Sequence, residues 1–253
     1  MSEPEIVTVR CLQDNYAFLV HDAQTGETTL IDVPEAAPIL AELDRRGWRL
    51  SRVLLTHHHW DHVDGLPGLL AAAPAPVFGA AADAHRLPPL DHAIAPGDHL
   101  PGGIVVLDAP GHTLGHVAFH LPAAAALFSA DSLMTHGCGR LFEGTAADLY
   151  ATIRRFDALP PETRIFSGHD YARANLAFAA RYAPDPAALA AREAELPRLA
   201  EAGLPTTGTT LASERLLNPY LRVHLPQVAA AAGLAGAPPA EVLAAIRRAK
   251  DTA

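Results

Sequence analysis

The residues Thr56–His62 read THHHWDH, directly after the apolar run Arg52–Leu55. In an extended chain alternate side chains share one side, so His57, His59 and, if the strand continues, Asp61 converge while His58 points away. His62 joins them once the chain turns. Further along, APGHTLGH (109–116) offers His112 or His116 after another strand-like run, in a glycine-containing turn where the backbone can approach closely. LFSAD then ends a strand on Asp131, and IFSGHD carries His169 past the end of a fourth. Imidazole and carboxylate donors without thiolates suit hydrolytic zinc, iron or manganese rather than a Cys-rich structural zinc site. With this many ligands the expectation is two metals about 3.5–4 Å apart, with one carboxylate bridging them.

These groups need a scaffold that delivers them from several strand ends. Strands are expected at Ile6–Val9, Tyr16–Val20, Thr28–Asp32, Arg52–Thr56, Ile104–Leu107, Val117–Leu121, Ala126–Ser129 and Arg164–Ser167. Ile39, Leu40 and Leu43 at helical spacing predict a helix over Pro38–Arg46 that stops at Gly47. After His169 the pattern turns helical, at Asn175–Tyr182, Pro186–Ala200 and Pro239–Lys250, so a boundary is expected near residue 170. The uncharged stretch Gly65–Ala82 has the length of a membrane span, but Pro67, Pro74 and Pro76 make it a helix, a turn and a short strand.

A chain of 253 residues, 49% hydrophobic and 19% charged, can bury a sizeable core, which excludes disorder and a disulfide scaffold. Its net charge of -9 opposes binding to a phosphate backbone. Cys11 and Cys138 are isolated, which fits a reducing compartment, and Glu3 and Glu5 stand where an export signal would need positive charge. A cytoplasmic, monomeric protein with no nucleic-acid or membrane partner is the expectation.

The HxHxDH signature at His57–His62, together with GHTLGH, the Asp131 strand end and SGHD, resembles the metallo-β-lactamase superfamily. Within it the chain is most similar to the glyoxalase II, or hydroxyacylglutathione hydrolase, family, through CLQDNYAFLV (11–20), GCGRLFEGT (137–145), GHDYARANL (168–176), NPYLR (218–222) and IRRAKD (246–251). The resemblance implies an α/β (α+β) fold, an αββα sandwich over residues 1–169 followed by a helical substrate-binding domain over 170–253. It also implies two divalent ions per chain, zinc foremost with iron or manganese also suited. By this resemblance His57, His59 and His116 bind one ion, Asp61, His62 and His169 the other, and Asp131 bridges, with His112 in a supporting role.

The implied reaction is hydrolysis of S-(2-hydroxyacyl)glutathione, chiefly S-lactoylglutathione to D-lactate and glutathione, in methylglyoxal detoxification. A metal-held hydroxide would be the nucleophile, with Asp61 and Asp131 as catalytic carboxylates. Arg140, Tyr171, Arg247, Lys250, Phe142 and Asn175 are the implied glutathione contacts. Cations in the last turn of a helix are also favoured by its dipole, which is the competing account of Arg247, Arg248 and Lys250. The chain departs from the family at Ser129 and Ala130, where threonine and glycine are common, at Phe142 for tyrosine and at Arg140 for lysine. A persulfide dioxygenase of the same superfamily is the alternative enzyme, and a non-catalytic metal or glutathione-conjugate binding protein the alternative class. A lactonase or β-lactamase would leave the basic tail without a role.

Overall fold

The computed structural model describes residues 3–253; the first two residues of the N-terminal segment read for an export signal lie outside them. Two compact units are present, one running to Asp108 and including Gly115–Phe128, the other made of Ala109–Leu114 and Ser129–Ala253.

In the first unit, β1 (Glu5–Cys11), β2 (Asn15–Asp22) and β3 (Glu27–Ile31) form an antiparallel meander in which Val9 pairs with Ala17 and Phe18 with Ile31. Helix α1 (Ala36–Arg46) leads to β4 (Arg52–Leu54), which pairs parallel to β3. Gly47 ends α1 at φ +67°, its N–H on the Asp44 carbonyl, as the glycine after a periodic run predicts. The short α2 (Trp60–Val63) and α3 (Leu66–Ala72) precede β5 (Val77–Ala80), and β6 (His92–Ile94) closes the six-stranded sheet β1-β2-β3-β4-β5-β6. The proline-broken stretch is therefore a helix, a turn and a strand. No helix of the described residues is long and apolar enough to cross a membrane.

The interior residues of β2 are buried on both faces. Leu19, Leu30, Val53 and Leu55 pack with Ile39 and Leu43 of α1 and with Leu66 and Leu69 of α3. The opposite face meets a second sheet: Phe18 lies 5.4 Å from Phe128, ring centre to ring centre. That sheet contains β7 (His99–Leu100), β8 (Ile104–Asp108), β9 (Val117–Leu121) and β10 (Ala126–Ala130), joined antiparallel in sequence order. Burial on both sides explains why these strands read as near-continuous apolar runs.

In the second unit, α4 (Ala146–Asp157) starts from a reciprocal cap between Thr145 and Asp148. After it come β11 (Arg164–Ser167), α5 (Ala172–Ala179), α6 (Pro186–Glu201), β12 (Thr209–Thr210), α7 (Leu211–Leu217), α8 (Pro226–Ala231) and α9 (Pro239–Asp251). Helices α4 and α9 pack together and bury Leu149, Ile153 and Phe156 of one and Val242, Leu243 and Ile246 of the other. Each such side chain contributes roughly 1.5–3 kcal/mol. The result is the mixed α/β sandwich with a helical C-terminal region that the resemblance implies.

Candidate metal centre

The first unit contributes a cluster around the C-terminal end of β4, where parallel strands present ligands. The chain stays extended through Thr56, whose carbonyl accepts from the Val117 N–H at 2.9 Å, and then turns into α2 with His59 at its N-cap. Asp32, at the end of β3 with φ +57°, organises the cluster. Its Oδ1 accepts from the Thr56 N–H at 2.8 Å, and its Oδ2 lies 2.8 Å from the Thr56 hydroxyl and 2.9 Å from His62 Nδ1. Because the Thr56 hydroxyl donates to Asp32, it accepts from His57 Nδ1 at 3.0 Å. Both histidines thus carry their proton on Nδ1 and leave Nε2 unprotonated, the arrangement by which a neighbouring carboxylate orients metal-binding imidazoles.

His57 Nε2 and His59 Nδ1 are 3.2 Å apart. Two ligands at about 2.0–2.1 Å from one tetrahedral ion lie about 3.3–3.4 Å from each other, so this pair has the spacing of a shared metal. The Asn15 amide donates to the Asp61 carbonyl at 2.9 Å and to its Oδ2 at 3.1 Å, and that carboxylate oxygen is 3.9 Å from His62 Nε2. His58 turns away, as alternation predicts, with its Nδ1 2.8 Å from the buried Asp83 carboxylate. A Cβ at Gly115 would fall on the Asp83 side chain, so only glycine fits there.

The second unit contributes a cluster built on Asp131. His112 Nε2 and His169 Nε2 each lie 3.4 Å from Asp131 Oδ2, again the separation of ligands sharing an ion. His112 Nδ1 is 2.8 Å from the Arg140 carbonyl, which can only accept, so Nε2 is bare here too. Gly139 donates its N–H to the Asp131 carbonyl at 2.9 Å. A Cβ at Gly139 would collide with that same carbonyl and crowd the His112 ring, which gives the GCGR segment a steric reason for its second glycine.

The geometry distinguishes His116, the implied ligand, from His112, its implied support. The His116 ring lies on His57, centroids 4.7 Å apart and planes 20° apart, and stacked rings present faces rather than convergent in-plane lone pairs. His112, and not His116, belongs to the groups of side chains placed to share an ion among the described residues.

The expected glutathione contacts all lie in the second unit. Tyr171 stacks on His169 at 4.8 Å and is 39% exposed; the Phe142 ring meets His112 edge-on at 5.3 Å and is 62% exposed. Arg140 is largely open, its Nε 3.7 Å from Asp251 Oδ1. Arg247 is buried instead, donating to the Cys138 carbonyl at 2.7 Å and to Asp251 at 3.0 Å. Lys250 donates to the Ala174 carbonyl at 3.1 Å over the Phe178 ring; burial, then Arg247 and Arg181, holds its ammonium below the ordinary lysine value. Asn175 is also buried, its amide donating to the Thr135 carbonyl at 3.1 Å, so it braces the loop.

Sequence reasoning missed Asp32, Asn15 and Asp83. The sign for Asp32 was present in TTLID, a strand ending on a carboxylate in the same way as LFSAD.

Two family models match the chain: the metallo-beta-lactamase superfamily over residues 12–169 and the hydroxyacylglutathione hydrolase C-terminus over residues 170–253. A curated hydroxyacylglutathione hydrolase of Jannaschia sp. (strain CCS1) is 53% identical over 255 residues, covering all of both chains. Among solved structures, the BLEG-1 B3 metallo-beta-lactamase superposes with a TM-score of 0.65 at 22% identity, over 86% of this chain and 99% of that one, a likeness of fold alone. TTHA1623 in a di-iron-bound form gives 0.58 at 33% identity, over 65% of this chain and 91% of that one. The fold and its histidine and carboxylate clusters are those of a metal-dependent hydrolase class, and the chain belongs to the hydroxyacylglutathione hydrolase family of the metallo-β-lactamase superfamily.

Proposed function

We propose that this protein hydrolyses the thioester of S-(2-hydroxyacyl)glutathione, chiefly S-lactoylglutathione to D-lactate and glutathione. The observation that carries the reading is the pair of imidazole nitrogens, of His112 and His169, at ligand spacing around Asp131 Oδ2, in a chain that matches a curated hydroxyacylglutathione hydrolase end to end. The donor set fits two divalent ions, zinc foremost and iron or manganese also suited: His57, His59 and His112 for one, Asp61, His62 and His169 for the other, and Asp131 for both. Bound there, such ions supply activated water and polarise a carbonyl oxygen.

The protein's own residues do the rest. Asp32 fixes the proton on Nδ1 of His62, and of His57 through Thr56, while Asn15 holds Asp61 in place. Arg140 presents an exposed guanidinium to a substrate carboxylate, Tyr171 and Phe142 offer apolar faces, and Lys250 adds charge from α9. Arg247 acts from beneath, holding the Cys138 carbonyl. The departing thiol has a pKa near 8.5, so no separate strong acid is needed. A single chain in the cytoplasm completes the reading, supported by two free, buried cysteines. The test is thiol release from S-lactoylglutathione by metal-assayed protein. Turnover abolished by a chelator and restored by zinc is expected; oxygen uptake with glutathione persulfide in place of thiol release would overturn the reading.

A further inference from the structure

The second unit buries a polar and charged cluster that the chemistry above does not use. Glu214 of α7 is fully buried, and His136 and Arg192 are buried beside it. The Glu214 carboxylate accepts from the His136 N–H at 2.8 Å, the Thr209 hydroxyl at 2.7 Å and the Asn218 amide at 3.1 Å, and its Oε1 lies 3.2 Å from His136 Nδ1. On the far side of the ring, Arg192 Nε donates to His136 Nε2 at 3.0 Å. An arginine can only donate, so Nε2 is bare and the ring proton is on Nδ1, facing Glu214. Burial alone would raise the Glu214 carboxyl; His136 and the other donors hold it below the ordinary value.

Buried ions of this kind seldom add net stability over apolar residues of the same shape; a single defined geometry is one reason to keep them. Here the geometry belongs to one loop. His136 is a non-glycine residue at φ +58°, at the tip of a tight turn in which Met134 and Gly137 exchange both backbone hydrogen bonds. The Asn218 amide also reaches the Met134 and Gly137 carbonyls. Immediately after the turn, Gly139 holds the Asp131 carbonyl and Arg140 offers its carbonyl to His112 Nδ1.

We propose that Glu214, with His136 and Arg192, is a positioning residue for the metal centre: by fixing the left-handed turn at His136 it sets the register of the loop whose Arg140 carbonyl aims His112 Nε2 and whose Gly139 clamps Asp131. The proposal rests on the reading of His112 and Asp131 as ligands. Glu214→Gln keeps the side-chain shape but places an amide group against groups that donate. In the full-length, zinc-loaded protein, chelator competition is expected to show zinc held about 10–100-fold more weakly, with the far-ultraviolet circular dichroism unchanged. A purely structural role would lower the melting temperature and leave zinc affinity within twofold, which would overturn the proposal. Should Glu214→Gln fail to fold, Thr209→Val decides: removing one donor is expected to loosen zinc by about threefold, and no loosening overturns the idea. Zinc affinity is read without substrate, so a wild-type protein that fails to hydrolyse S-lactoylglutathione would sink the functional reading and leave this test intact.

Discussion

At the scale of residues, the difference between His112 and His116 shows what spacing can and cannot reveal. Both stand in one glycine-containing segment four residues apart, and only the ring placements, one held by the Arg140 carbonyl and one stacked on His57, distinguish them. His112→Ala is expected to lose bound metal and about 100-fold or more in kcat/KM, whereas His116→Ala keeps its full metal complement, as elemental analysis of both variants would show. Ala130 carries a second residue-scale consequence. It takes φ +42° immediately before Asp131, a conformation that costs a non-glycine residue roughly 1–2 kcal/mol. Ala130 is thereby a strained residue directly beside Asp131. Ala130→Gly should stabilise the protein by about 1 kcal/mol, less the added entropy of the unfolded glycine, measured by urea denaturation.

At the scale of elements, the long strands were legible because burial on both faces gives them continuous apolar sequence, and α1 because its spacing ends on Gly47. β6, β7 and β12 were not, since strands of two or three residues carry no period. Helix α4 was overlooked although Thr145 and Asp148 form a cap and Leu149, Ile153 and Phe156 recur at helical intervals. Removing that cap with Thr145→Ala is expected to cost about 1 kcal/mol of stability, read as a lower urea midpoint with unchanged slope. The four strand ends that deliver His and Asp groups were visible in sequence. Two of the groups that orient them, Asp32 and Asn15, come from segments far from the ligands in sequence, and hydrogen bonds between distant segments leave no local pattern.

At the scale of the whole molecule, the change from mixed to helical pattern near residue 170 falls where one matching family model ends and the other begins. The compact units are drawn by other contacts, with Ser129–Ser167 grouped with the helices that follow it. A loop such as Met134–Arg140 takes its shape from Glu214, Asn218, Asn175 and Arg247, all distant in sequence. Both cysteines belong to such interior packing. Burial, with Glu35 adding, pushes the Cys11 thiol up to about 12, and burial raises Cys138 against the pull of Arg247. At pH 8 the Cys11 thiolate is then on the order of one in 10,000, so native protein should leave both thiols unreacted with a disulfide reagent, and denatured protein should titrate two.

The most direct measurement adds zinc to the metal-free protein in known equivalents and follows thiol release from S-lactoylglutathione at each step. Turnover that is absent without metal and climbs to a plateau at two equivalents per chain is the predicted result. A plateau at one equivalent, or undiminished turnover by the metal-free protein, would contradict a centre built from both ligand sets around Asp131.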